Sequence, residues 1–139
     1  MKQLRQQRPL ILVVDGQAEV LDEVATVLTG ANFACRCCTT AEGAIAAAES
    51  SPPDLIISDV NLHGHSGLEM CERIRESAAL KEVPVMFLSG AQVPDIIRRS
   101  DALGGTYYLR KPFDPDVLVE LIDTALGSSQ LAAGDAGRR

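Results

Sequence analysis

Leu55-Ile56-Ile57-Ser58-Asp59 is a short apolar run that stops on a carboxylate, and Leu10-Ile11-Leu12-Val13-Val14-Asp15 repeats the pattern near the start of the chain. Continuous apolar, β-branched runs of this length read as strands buried on both faces. Beyond the first of them the spacing becomes helical: Val20, Leu21, Val24, Val27 and Leu28 fall on one helical face. The alternation continues with a strand near Phe33 to Cys38, a helix near Ala41 to Ser50, the strand Leu55 to Ser58, a helix Gly67 to Glu76 and a strand Val83 to Leu88. A helix near Asp95 to Leu103, a strand Thr106 to Leu109 and a helix Asp116 to Leu126 complete five βα units. The fourth helix carries only Ile96, Ile97 and Leu103 as large apolar residues, so it is expected to be the least firmly packed. Strands and helices that alternate through short links predict an α/β fold, a doubly wound, five-stranded parallel sheet with helices on both faces.

Helix starts are marked by local chemistry. Thr39 with Glu42 and Ser66 with Glu69 have capping-box spacing, and Asp114-Pro115 supplies an N-cap and an N1 proline. At 139 residues the chain fits one domain able to bury a core of its own. The reading divides it into a flexible N-terminal arm over 1–8, the domain over 9–127, and a flexible tail of linker composition over 128–139.

A net charge of -6, with scattered Lys and Arg, argues against a nucleic-acid surface, which needs clustered cations to neutralise phosphates. No apolar stretch is long enough for a signal peptide or a membrane span, so a cytoplasmic location is expected. Cys35 and Cys38 have the spacing of a metal or redox pair. In a strand, however, Cys35 and Cys37 share one face and Cys38 points to the other, which opposes chelation by the spaced pair. His63 and His65 lack an evident third ligand and read as exposed loop residues.

In open parallel sheets the functional crevice lies at the carboxyl ends of the strands. Asp15 follows the first strand, Asp59 the third, Ser89 the fourth and Lys111 the fifth, so two carboxylates, a hydroxyl and an ammonium converge on one edge. That set suits phosphoryl transfer, in which a protein positions a nucleophile and neutralises charge on the transferred group. Asp59 is the candidate nucleophile and phosphoacceptor, Asp15 a hard oxygen ligand for Mg2+, and Lys111 a fixed positive charge. Ser89 is a hydrogen-bond donor to a phosphoryl oxygen.

Ile11-Leu12-Val13-Val14-Asp15, Leu55-Ile56-Ile57-Ser58-Asp59, Phe87-Leu88-Ser89-Gly90 and Lys111-Pro112-Phe113 resemble, in order and spacing, the motifs of response-regulator receiver domains. The resemblance covers about residues 9 to 127 and implies a flavodoxin-like sheet with strand order 2-1-3-4-5. It implies phosphorylation of Asp59 by a histidine kinase or phosphotransfer protein, as part of two-component signal transduction. It also implies a switch made of Ser89 and Tyr108, metal binding by Asp15, Asp59 and the Asn61 backbone carbonyl, and a cis Lys111-Pro112 peptide. Such a chain is a signalling domain that at most catalyses its own phosphorylation and dephosphorylation. Its signal is expected to leave through a downstream protein partner, and the face between the fourth and fifth helices is a candidate homodimer surface.

One departure bears on function. Receivers usually carry two adjacent acidic residues after the first strand, and here the second is Gly16. Weakened Mg2+ binding is therefore expected, and a degenerate receiver acting as a phosphorylation-independent interaction module is the alternative reading. A haloacid-dehalogenase-like phosphohydrolase fits less well, because Gln17 stands where its second aspartate would be.

Overall fold

The apolar runs pair with one another as their composition demands. In the computed structural model, which describes residues 8–90 and 106–138, β1 (Leu10–Val14) lies between β2 (Ala34–Cys38) and β3 (Leu55–Asp59). β6 (Val85–Ser89) and β7 (Thr106–Arg110) extend the sheet beyond β3, all in parallel. The order β2-β1-β3-β6-β7 is the expected 2-1-3-4-5 once the main-sheet strands are counted alone. The extra pair is a small antiparallel hairpin of β4 (Asn61–Leu62) and β5 (His65–Ser66).

Alternation along each strand builds two apolar layers. Ile11, Val13, Leu55, Ile57, Met86 and Leu88 face α1 (Ala18–Gly30) and α4 (Pro115–Arg138), meeting Leu21, Val24, Leu28, Leu118 and Ile122. Leu12, Val14, Ile56, Val85 and Phe87 face α2 (Ala41–Ser50) and α3 (Gly67–Ile74), meeting Ala44, Ala48, Leu68, Cys71 and Ile74. Each large aliphatic side chain so buried contributes roughly 1.5–3 kcal/mol. Because the core takes most residues of β1, β3 and β6, most of the polar groups there are displaced to the strand ends.

Cys35 packs into the first layer and Cys38 into the second, so the two thiols lie on opposite faces of β2, as strand geometry requires. Cys35 and Cys37 share a face with their sulfurs 3.7 Å apart. Burial pushes the Cys35 thiol up to about 12, and the neighbouring Cys37 adds to the shift.

Two local expectations are corrected. The cap of α2 is Thr40, not Thr39: Thr40 is the extended residue before Ala41, and its hydroxyl accepts from the Gly43 N–H at 3.0 Å. Ser66 caps α3 as expected, accepting from the Glu69 N–H at 3.1 Å, and the Asp114 carboxylate accepts from the Asp116 N–H at 2.8 Å. The last helix does not stop near Leu126. Its backbone stays helical to Arg138 through a stretch that contains no proline and several alanines. The loop after β3 is the β4–β5 hairpin, turning on His63 at φ 50 and Gly64 at φ 87, the positive-φ pair that a tight two-residue hairpin turn requires. The helix expected over 95–103 lies outside the described residues.

Candidate functional site

β1 and β3 are adjacent and parallel, so the aspartates that end them arrive at the same edge of the sheet. Asp15 is 2% exposed, whereas the Asp59 side chain retains 19%. Lys111 reaches them from one residue beyond β7. Its backbone N–H donates to the Ser89 carbonyl at 2.8 Å, and the Lys111-Pro112 peptide is cis, as expected. The Lys111 Nζ then donates to Asp15 Oδ2 at 2.9 Å and to Asp59 Oδ2 at 2.8 Å. The other carboxylate oxygens accept from the loop backbone: Asp15 Oδ1 from the Gln17 N–H at 2.9 Å, and Asp59 Oδ1 from the Asn61 N–H at 3.0 Å. Asn61 thus holds Asp59 through its amide N–H.

Burial disfavours the charged Lys111 ammonium, but the hydrogen bonds and charges of Asp15 and Asp59 outweigh it and raise its pKa above the ordinary 10.5. A cation whose folded pKa lies above its unfolded one stabilises the fold fully below that unfolded value. The contribution is lost as pH climbs through the folded pKa. The unfolding free energy of the parent should therefore fall more steeply above pH 10.5 than that of Lys111→Met. Equal alkaline slopes in denaturant titrations would show that the ion pairs do not form.

Asp15, Gly16, Asp59, Asn61, His63, Gly90 and Lys111 line one open cleft of about 450 Å3. Ser89, at the end of β6 and beside Gly90, is 3% exposed. His63 has a place that its sequence position did not reveal. Its Nε2 lies 2.9 Å from the Gly16 carbonyl oxygen, and a Cβ on Gly16 would meet that nitrogen at 2.3 Å. His65 turns instead toward a groove shared with Glu42 and Glu69.

Tyr108 packs its ring against Phe87, with centroids 6.2 Å apart and planes tilted by 49°. Its hydroxyl is buried and has no hydrogen-bond partner among the described residues, and burial pushes its pKa up. An unpaired buried hydroxyl costs roughly 1–3 kcal/mol. Tyr108→Phe should accordingly raise stability by about 1 kcal/mol, seen as a higher denaturant midpoint at unchanged slope. A loss of stability would mean that the hydroxyl is bonded.

The family model described as the response regulator receiver domain matches residues 11–123. This chain belongs to that family. Over 116 residues it is 29% identical to the phosphate regulon transcriptional regulatory protein PhoB of Pseudomonas aeruginosa, covering 84% of this chain and 51% of that relative. It is 31% identical over 116 residues to the regulatory protein VanR of Enterococcus faecium, covering 84% and 49%. The chain thus spans about half the length of these curated relatives. Among solved structures it is similar to the chemotaxis protein CheY4 of Vibrio cholerae, with a TM-score of 0.81 and 27% identity over 85% of this chain and 98% of that one. That coverage, together with the sheet order, agrees with the flavodoxin-like architecture.

Receiver domains are signalling domains of two-component systems, not classical enzymes, and they interact with histidine kinases and downstream effectors. They generally bind Mg2+ at the phosphorylation site. The donors in this receiver fit such an ion chemically. Asp15 and Asp59 offer hard carboxylate oxygens on one cleft, and Mg2+ requires only one or two carboxylates when it keeps several waters. Among the described residues, no helix is long and apolar enough to cross a membrane.

Proposed function

We propose that this receiver accepts a phosphoryl group on Asp59 from the phosphohistidine of a histidine kinase or phosphotransfer protein, and thereby switches a protein-binding surface. The observation that carries the reading is the Lys111 ammonium bonded to both Asp15 and Asp59, with Asp59 the more open of the two. In the transfer, an Asp59 carboxylate oxygen forms a bond to phosphorus as the bond from phosphorus to the donor imidazole nitrogen breaks. The electron pair of the broken bond returns to that imidazole. Lys111 neutralises the equatorial oxygens, and the Ser89 hydroxyl donates to one of them.

Asp15, Asp59 and the Asn61 carbonyl would hold Mg2+, which when bound would supply positive charge against the Asp59 carboxylate and the phosphoryl oxygens. The Tyr108 hydroxyl, which has no hydrogen-bond partner among the described residues, suits a side chain with a second position, and Ser89 with Tyr108 forms the switch pair of this reading. The downstream partner is a protein, the location is cytoplasmic, and the face leading to α4 is the surface offered to a partner or a second copy.

Gly16 favours a second reading, a degenerate module that binds its partner without phosphoryl transfer. Intact-mass measurement after incubation with a small phosphodonor and Mg2+ separates the two. One phosphoryl group, labile to hydroxylamine, is expected, and an unlabelled protein would leave the degenerate module.

A further inference from the structure

Gly16 and His63 are 47 residues apart, yet they occupy one volume. A Cβ on Gly16 would lie 2.3 Å from His63 Nε2 and 2.4 Å from Cδ2, far inside any contact distance. The imidazole therefore fills the space that a side chain at position 16 would need. The ring belongs to an exposed residue and is held there by a single 2.9 Å contact among the described residues, in which Nε2–H donates to the Gly16 carbonyl, on a turn where His63 has φ 50. A non-glycine residue in that region is strained, so the surrounding hairpin must define the conformation. Both residues line the Asp59 cleft with Asp15 and Lys111, so a side chain at 16 would share that wall of the cleft.

We propose that Gly16 and His63 form one determinant of cation binding, in which the imidazole excludes from the Asp59 cleft any carboxylate that position 16 could contribute. The proposal rests on the cleft being a cation-assisted phosphoacceptor site, but it concerns cation affinity alone. The protein then has two carboxylates for its cation, and a third is admitted only when His63 leaves.

The pair can be tested by a double-mutant cycle read through Mg2+ titration, followed by NMR shifts and by the metal-induced rise in Tm. Glycine at 63 removes the ring and also suits the positive φ, so His63→Gly should fold. Alone it should bind Mg2+ about as the parent does, because it adds no ligand. Gly16→Asp alone must push the ring aside, so it should be less stable than the parent without metal and should gain little affinity. The double variant should bind Mg2+ about tenfold more tightly than Gly16→Asp, a coupling in the range found for side chains in contact. His63→Asn, shorter than histidine and tolerant of positive φ, provides a second background in which Gly16→Asp should also gain. The proposal is overturned if Gly16→Asp has the same Mg2+ affinity whatever stands at 63, or if the double variant binds no more tightly than the parent. Because titration with Mg2+ needs no phosphodonor, absence of label on Asp59 would defeat the phosphoacceptor reading without deciding this one.

Discussion

Asp59→Asn should abolish phosphoryl labelling of this receiver, with no residual acyl phosphate by intact mass. The expectation is all-or-none because the alternative carboxylate is closed. The Asp15 side chain is 3% exposed, and its two oxygens already accept from Lys111 and from the Gln17 N–H. Asp59 has comparable partners but faces the cleft with 19% of its side chain open. An amide at 59 keeps the shape and removes the nucleophilic carboxylate. Lys111 can still pair with Asp15, so the fold should survive and a missing label will not reflect unfolding. Lys111→Met makes the graded counterpart. It leaves the nucleophile and removes a preorganised positive charge, which should slow labelling by on the order of a hundredfold. Label retained on Asp59→Asn would place the acceptor elsewhere and sink the assignment.

The sheet and the ion triad were legible in the sequence for one reason: both depend on periodicity and on where strands stop. Leu55–Ile57 and Ile11–Val14 are apolar at every position, short and rich in β-branched residues, which together point to strands covered on both faces. Parallel pairing then carries the aspartates that follow them to one edge. The contact of His63 with Gly16 was not legible. It joins two loops through a hairpin only two residues long per strand, and that hairpin turns on a histidine at positive φ, where glycine or asparagine would have signalled the turn. The weak spacing signal around Thr39 and Thr40 failed for a smaller reason. Both residues can cap, and the choice depends on which of them stays extended. The length of α4 was underestimated because serine and glycine after Leu126 look like a linker, although neither forbids helix when alanines follow.

Gly67 opens α3, and its replacement should have the largest effect on stability of any single methyl group added near the site. A Cβ at Gly67 would lie 2.0 Å from the Asp59 carbonyl oxygen and 2.9 Å from Ser58 Oγ. The first of these is backbone and cannot swing aside. Gly67 is buried, and its N–H donates to the Val60 carbonyl at 2.9 Å, so α3 begins in contact with the end of β3. Helix propensity alone would make Gly67→Ala favourable by up to about 1 kcal/mol. The clash must dominate, since relieving it requires moving either α3 or the backbone that carries the candidate phosphoacceptor. A net loss of about 3 kcal/mol is expected, at the upper end of overpacking costs. For a domain of this size that corresponds to a fall in Tm of roughly 10 °C. Gly30→Ala supplies the control: it adds the same methyl group at the end of α1, where nothing lies within 4 Å, and should be neutral or slightly stabilising. Thermal unfolding of the two variants beside the parent decides the matter. If Gly67→Ala melts with Gly30→Ala, α3 does not touch the end of β3 as closely as the structure has it. If it melts early, the same contact that fixes the helix also fixes the Asp59 backbone, and labelling of the folded variant at low temperature should be slower than in the parent.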